Sequence, residues 1–191
     1  MDTKDGKNLF WTTDVNTELP VRLMTSGHGA DPPQTLPSLF METALKYHNF
    51  PAMKVERNNK VAQWTWKEYL DGCVNFAKAM HVIGINERKA VNIMGFNSPE
   101  WAIAYFGGTF YNCVLSGVYI TNGPEACLYQ AENSDAELIV VDGIAQLKKY
   151  LQNLHKLPQV KALVVYNVDT IPNDVKDPRV YAWSDFMKMA S

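Results

Sequence analysis

A chain of 191 residues, 47% hydrophobic and 20% charged, has material for one substantial core, or for one core with an appendage. Its formal charge is -2 and its basic residues form no block, which excludes the clustered positive face that polynucleotide binding requires. Cys73, Cys113 and Cys127 are odd in number and widely spaced, so they offer neither a disulfide framework nor a metal knuckle and fit a reducing compartment.

The start, MDTKDGKNLFW, lacks the apolar stretch of a secretory signal, and the expectation is a cytosolic protein. Residues 1–34 read as an irregular lead that ends in the turn-forming series Gly27-His28-Gly29-Ala30-Asp31-Pro32-Pro33. Thr35 is placed to cap a helix whose apolar members Leu36, Leu39, Phe40, Ala44 and Tyr47 recur at intervals of three to four. After Pro51 the period changes, and Ala52 to Glu56 and Val61 to Trp66, separated by Arg57-Asn58-Asn59-Lys60, read as a hairpin.

The next helix is the best marked. Thr65 and Glu68 form a capping box, in which each side chain satisfies an orphan backbone donor of the first turn. Leu70, Cys73, Val74, Ala77 and Met80 make one apolar stripe, and Gly84 can end the helix in the left-handed conformation. Ala90 to Met94 suits a covered strand and Gly95-Phe96-Asn97 breaks it. Ser98 then has N-cap chemistry, Pro99 loses no useful amide in the first turn, and Glu100 puts negative charge where the helix dipole favours it.

From Trp101 to Ile120 no residue is charged, which is length enough for a bilayer crossing. Gly107, Gly108, Asn112, Ser116 and Gly117 argue instead for a buried helix followed by a buried strand, with loose attachment at a membrane surface left open. Ser116 to Ile120 reads as that strand. Pro124 to Glu132 follows as a helix, Glu137 to Val141 as a strand, Ile144 to Leu154 as a helix, Val160 to Tyr166 as a strand, and Ser184 to Met189 as the start of a last helix. The expected class is α/β, a layered and mostly parallel sheet flanked by helices on both faces, with an N-terminal hairpin. The expected organisation is a lead over 1–34, a partial α/β domain over 35–166, and a loop with the start of a further helix over 167–191. The Pro, Asp and Asn-rich stretch Asn167 to Arg179 marks the edge of the compact region.

Chemistry is harder to find. His28, His48, His81 and His155 show no metal-ligand spacing, and His81 and His155 fall in the last turns of predicted helices, where a polar or positive side chain suits the carbonyl end. Neither G-x-G-x-x-G nor G-x-x-x-x-G-K-[ST] occurs, and no Gly-x-Ser-x-Gly elbow. Gly107-Gly108 lies inside an apolar helix and reads as close packing. Asp142 follows a strand, a site-like place, although a helix cap or turn carboxylate is the simpler role. Asn97 holds the analogous place after Ala90 to Met94, where it either faces a ligand or holds the turn before Ser98. Trp101, Tyr105 and Phe106 either wall a pocket or belong to the core.

The ordered series Thr65-Trp66-x-Glu68-Tyr69, Gly84-Ile85, Val91-Asn92-Ile93 and Asn97-Ser98-Pro99-Glu100-Trp101, continued by Gly117-Val118-Tyr119, Glu125 to Tyr129 and Glu137 to Asp142, resembles the N-terminal region of adenylate-forming acyl-CoA synthetases. With Leu9 to Asp14, LFWTTD, it is most similar to the bubblegum subgroup of the long-chain fatty-acyl-CoA synthetases. That resemblance implies an incomplete N-terminal part of the adenylate-forming fold. It also implies a parent reaction in which a long-chain fatty-acid carboxylate attacks the α-phosphorus of ATP, and coenzyme A then displaces AMP from the acyl-adenylate, with magnesium offsetting triphosphate charge. The family's ATP loop, ribose-binding aspartate and lysine-bearing mobile domain match no residue here. The expectation is therefore an N-terminal fragment or truncated isoform, inactive alone, with no catalytic or metal-binding residue assigned, no nucleic-acid partner, and a cytoplasmic location with peripheral contact at intracellular membranes. A noncatalytic lipid-binding or regulatory role is the alternative. Asn97, Trp101 and Gly117 match recurring family positions and are expected to shape turns and helix-sheet packing, with direct fatty-acid contact the competing reading.

Overall fold

The computed structural model describes residues 11–14 and 17–190. The opening MDTKDGKNLF, with Leu9 and Phe10 of the LFWTTD stretch, lies outside the described residues. The chain divides into a lead, residues 1–35, and a compact unit, residues 36–191. Within the lead, a 3-10 turn spans His28–Ala30, Gly27 takes φ 72°, and the Met24 amide donates to the Gly29 carbonyl at 2.8 Å. The Gly27-His28-Gly29 series thus makes the turn its composition predicts.

The compact unit begins with α1 (Leu36–Lys46) and a two-stranded antiparallel hairpin, β1 (Pro51–Arg57) and β2 (Lys60–Thr65). Asn58 and Asn59, both at positive φ, make its two-residue loop, since asparagine tolerates the left-handed conformation that a tight hairpin turn demands. Helix α2 (Trp66–Ile83) follows, then β3 (Ala90–Met94), α3 (Pro99–Phe110), β4 (Val114–Val118), α4 (Pro124–Asn133), β5 (Ala136–Asp142), α5 (Gly143–Leu151), β6 (Ala162–Tyr166), β7 (Val180–Ala182) and α6 (Trp183–Lys188). Strands β3 to β7 form one sheet in the order β4-β3-β5-β6-β7, every neighbouring pair parallel. The class is α/β, as expected.

Alternation along the strands sorts the core into two layers. Val91, Ile93, Leu138, Val140 and Val164 face the layer holding α1, α2, α3 and α6, whereas Met94, Ile139, Val141, Leu163 and Val165 face the layer with α4 and α5. Strands β3 and β6 are buried at every position, as parallel strands covered on both faces must be. Among the described residues, no helix is long and apolar enough to cross a membrane. The uncharged run from Trp101 is α3, a turn and the edge strand β4, which begins two residues before the expected Ser116.

Local signals set the ends of the helices. Thr65 Oγ1 accepts from the Glu68 amide at 3.2 Å and Glu68 Oε2 accepts from the Thr65 amide at 2.7 Å, while Gly84 closes α2 at φ 80°. Two predicted stripes need correcting. In α1 only Phe40 and Ala44 are buried, and Leu36, Leu39 and Tyr47 are exposed. In α2 the buried line is Tyr69, Cys73, Phe76, Ala79 and Met80, rotated away from Leu70, Val74 and Ala77. Aromatic bulk decides that rotation, because Tyr69 and Phe76 remove more area from water than the aliphatic residues they displace.

At the amino-terminal end of the sheet, Glu137 is almost fully buried. It accepts from the Asn86 amide and from Asn86 Nδ2, each at 2.8 Å, and pairs with Lys161 Nζ at 2.8 Å. Burial alone would raise its carboxyl pKa, but hydrogen bonds from Lys161 and Asn86 outweigh it and hold the group below its ordinary value.

Candidate functional site

Open parallel sheets bind ligands outside the carboxyl ends of their strands, where the strand order reverses. Here β3 leads to β4 on one side, whereas β5, β6 and β7 continue on the other. The carboxyl ends of β3 and β5 carry Gly95 and Asp142, and β6 adds Tyr166 and Asn167. Of these, Tyr166 and Asn167 border a cavity of about 630 Å³ that Arg57, Glu100, Asp169 and Trp183 also line.

Its polar groups are tied to one another. Arg57 donates from Nη1 to Glu100 Oε1 at 2.8 Å and from Nη2 to Glu100 Oε2 at 2.7 Å, a two-point pair between the hairpin and the first turn of α3. The Glu100 side chain is 13% exposed. Burial, the largest single influence, pushes its carboxyl pKa up, but the hydrogen bonds and charge of Arg57, with its own backbone amide and Ser98, together outweigh it, and the net displacement is downward. Asn167, in the left-handed conformation at φ 57°, donates from Nδ2 to Asp142 Oδ1 at 2.6 Å. Asp142 therefore bridges two strand ends. It stands at the N-cap position of α5 but its side chain makes no capping bond, so of the two expected roles, helix cap or turn carboxylate, the first is corrected.

Tyr166 is 1% exposed, and its buried hydroxyl oxygen has no hydrogen-bond partner among the described residues. Burial lifts its pKa to about 12 against a weaker downward pull from the nearby Ser98 side chain, which does not reach hydrogen-bonding geometry with the hydroxyl. The hydroxyl lies over Gly95, where a Cβ would approach it to 1.9 Å, so glycine is the residue that lets ring and strand end meet. Removing a buried hydroxyl that has no partner relieves a desolvation cost without breaking a bond. Tyr166→Phe is accordingly expected to leave stability unchanged or raise it by up to about 1 kcal/mol in urea unfolding. A loss exceeding that amount would show the hydroxyl to be bonded in solution.

The other singled-out residues fall elsewhere. Asn97 is exposed and borders a smaller cavity of about 280 Å³ with Met53 and Val55 of the hairpin. Ser98 caps α3, its Oγ accepting from the Trp101 amide at 3.1 Å. Trp101 and Tyr105 stack at 5.5 Å and, with Phe106, pack against the core in partial burial. A Cβ on Gly107 would meet Phe76 at 2.8 Å, and one on Gly108 would meet Leu115 at 2.8 Å, so this pair serves close packing. Among the described residues nothing lies within 4 Å of a Cβ placed on Gly117, so their packing does not account for it. His81 lies in the last turn of α2, with Nδ1 3.2 Å from the Tyr111 hydroxyl, and His155 lies in a short 3-10 turn. Cys73, Cys113 and Cys127 are free thiols.

Arg57, Tyr166 and Trp183 are missing from the residues that the sequence singles out. Arg57 and Glu100 are separated by 43 positions, and nothing local announces their pairing. Tyr166 had a usable signal, an aromatic residue with a hydroxyl closing an apolar strand.

A second cavity, of about 500 Å³, is mainly apolar. Val74, Ala77, Val82, Phe110 and Met189 line it, with Lys78 and His81 at the same opening. Among the described residues, no group of three or more His, Cys, Asp or Glu could hold a metal ion.

The family model described as "AMP-binding enzyme" matches residues 40–185. The long-chain-fatty-acid–CoA ligase ACSBG2 of Gallus gallus is 36% identical over 180 residues, covering 94% of this chain and 23% of that protein. ACSBG2 of Xenopus laevis is 35% identical over 189 residues, covering 99% and 25%. ACSBG1 of Homo sapiens is 33% identical, covering 95% and 24%. The chain thus spans about a quarter of the length of these curated relatives. Among solved structures, the anthranilate CoA ligase AuaEII in complex with anthranoyl-AMP superposes with a TM-score of 0.69 at 14% identity, over 80% of this chain and 27% of that one. Coronafacic acid ligase from Pectobacterium brasiliense gives the same score and identity, over 80% and 29%. At that identity the likeness is one of fold.

Proposed function

This chain belongs to the AMP-binding enzyme family, its relatives being bubblegum-type long-chain-fatty-acid–CoA ligases, and from that membership we propose that it is the sheet-forming part of an ATP-dependent fatty-acid–CoA ligase and is inactive alone. The observation that carries the reading is coverage, since 94% of this chain aligns to a ligase of which it spans 23%. The residues present do not fit a magnesium triphosphate. Arg57 is already neutralised by Glu100, and Asp142 and Asp169 add negative charge at the same edge, which repels phosphate. The phosphate and thioester chemistry is accordingly assigned to none of these side chains. Their part is to hold the strand ends, the hairpin and α3 in a fixed mutual geometry, in a cytoplasmic protein with peripheral membrane contact.

The test has two arms. The chain alone, given ATP, magnesium, coenzyme A and a long-chain fatty acid, is expected to form no acyl-adenylate or acyl-CoA above the protein-free rate, and turnover would refute its dependence on further segments. Residues 40–185 grafted in place of the matching segment of the Gallus gallus ligase are expected to preserve acyl-CoA formation. A folded but inert chimera would refute the assigned part.

The apolar cavity beside α2 favours a second reading, a noncatalytic lipid-binding or regulatory role. Its volume is within the range of ligand pockets, and Lys78 and His81 provide positive or polar groups beside apolar walls. Saturable binding of a long-chain fatty acid by the chain alone, abolished by Val74→Glu, is the result that this reading requires.

A further inference from the structure

The two edges of the five-stranded sheet are built differently. Strand β7 is three residues long, and the Asp177 to Arg179 ion pair precedes it, devices that blunt an edge. Strand β4 has five residues, Val114-Leu115-Ser116-Gly117-Val118, with no charge and no proline. Val114 is 58% exposed, and Tyr119, directly after the strand, is 80% exposed. Gly117 is exposed, and β4 ends the sheet order, paired among the described residues with β3 alone. A β-strand can therefore approach along this side.

The backbone states what would pair there. The Val114 amide donates to the Lys89 carbonyl at the start of β3, and β3 and β4 run parallel in register, with Asn92 opposite Ser116. Alternation along the strand then turns the amides of Val114, Ser116 and Val118 towards β3, and the N–H and C=O groups of Leu115 and Gly117 towards the open side. Two residues with outward groups, separated by one, form a self-complementary set. In an antiparallel pair of two such strands, Leu115 of one copy faces Gly117 of the other, and Gly117 faces Leu115. Each facing pair exchanges two hydrogen bonds about a two-fold axis through Ser116. The missing side chain of Gly117 leaves room for the Leu115 side chain opposite.

We infer that β4 is a self-association edge, and that two copies of this chain join antiparallel through Leu115 and Gly117 into one continuous ten-stranded sheet. The inference does not depend on the proposed ligase role, since only backbone groups and the composition of β4 enter it. A ladder this short makes a weak dimer.

Gly117→Pro tests it directly. Proline removes the outward Gly117 amide and none of those bonded to β3, a place where an edge strand tolerates it. The wild-type chain, followed by sedimentation, is expected to rise from the mass of one chain towards two as its concentration approaches about 0.5 mM. Gly117→Pro is expected to stay at the mass of one chain with an unaltered urea midpoint. Should that variant unfold, Val114→Lys introduces a guarding charge at an exposed position and is expected to block association equally. Hydrogen exchange gives an independent readout. The Leu115 and Gly117 amides are expected to slow by roughly tenfold with rising wild-type concentration, while those of Ser116 and Val118 do not change. A wild-type chain monomeric throughout would overturn the inference and leave the edge to a strand from another molecule. Equal association by wild type and both folded variants, or protection of other amides instead, would also overturn it.

Discussion

Phe76→Ala is expected to remove about 3–5 kcal/mol from the stability of the compact unit, a large part of what a domain of this size commands. Phe76 is fully buried on α2. Its ring lies 5.6 Å from that of Trp183 in a stacked arrangement and 5.2 Å from that of Phe186, while Gly107 of α3 presses against its Cβ. One side chain thus joins α2, α3 and α6. Truncation loses the transfer free energy of the ring and leaves a void that three separate elements would have to move to close. Collapse is obstructed on the α3 side, where Gly107 is already at the limit of approach. Urea unfolding read by tryptophan fluorescence measures the loss, with Phe96→Ala as the reference because Phe96 is 70% exposed. A change under about 1 kcal/mol in Phe76→Ala would show that α6 does not hold the ring in place.

Glu137→Ala is expected to cost about 2–3 kcal/mol at neutral pH. The substitution leaves the Asn86 amide and Nδ2 without their acceptor and Lys161 without its partner. Lys161 is about one-third exposed and regains water, which holds the cost below that of a fully buried pair. The same group predicts a pH dependence. Its folded pKa is depressed below the ordinary 4.5, so its contribution is complete above that value. The contribution is lost as pH falls through the lower, folded value, because the unfolded chain takes up the proton first. Glu100 and Asp177 are depressed as well and add to the same acid limb. Glu137→Gln is expected to make the decline below pH 4.5 shallower without abolishing it. Superimposable acid limbs for the two proteins would exclude the ion pair as a source of stability.

Elements with local chemistry at their ends were legible in the sequence. Thr65 with Glu68, and Ser98 with Pro99, act on donors within their own first turns, so sequence order fixes their geometry. Strand β3 was exact because five covered residues between polar breaks leave one solution. The hairpin was tighter than the sequence implied, Arg57 and Lys60 extending the strands instead of the loop. Strand β7 escaped notice altogether, since Val180, Tyr181 and Ala182 become a strand only through pairing with β6. The candidate site was hidden for a related reason. Arg57, Glu100, Tyr166 and Trp183 come from four elements, and their proximity follows from sheet order, which no short motif encodes. Asp142 stood out by position, but whether it caps α5 or takes a hydrogen bond from Asn167 is decided across strands.

The closure of α6 over Phe76 also has a consequence for the order of folding. Trp183 and Phe186 reach their partner from roughly a hundred residues further along the chain, and contacts of that span pay their loop-closure entropy late. On the ribosome, α2 and the β1–β2 hairpin can form from nearby residues, yet the aromatic surface around Phe76 stays wet until nearly the last residue of this sequence has emerged. Throughout that interval the nascent chain displays a greasy, half-assembled layer, the kind of surface that chaperones bind.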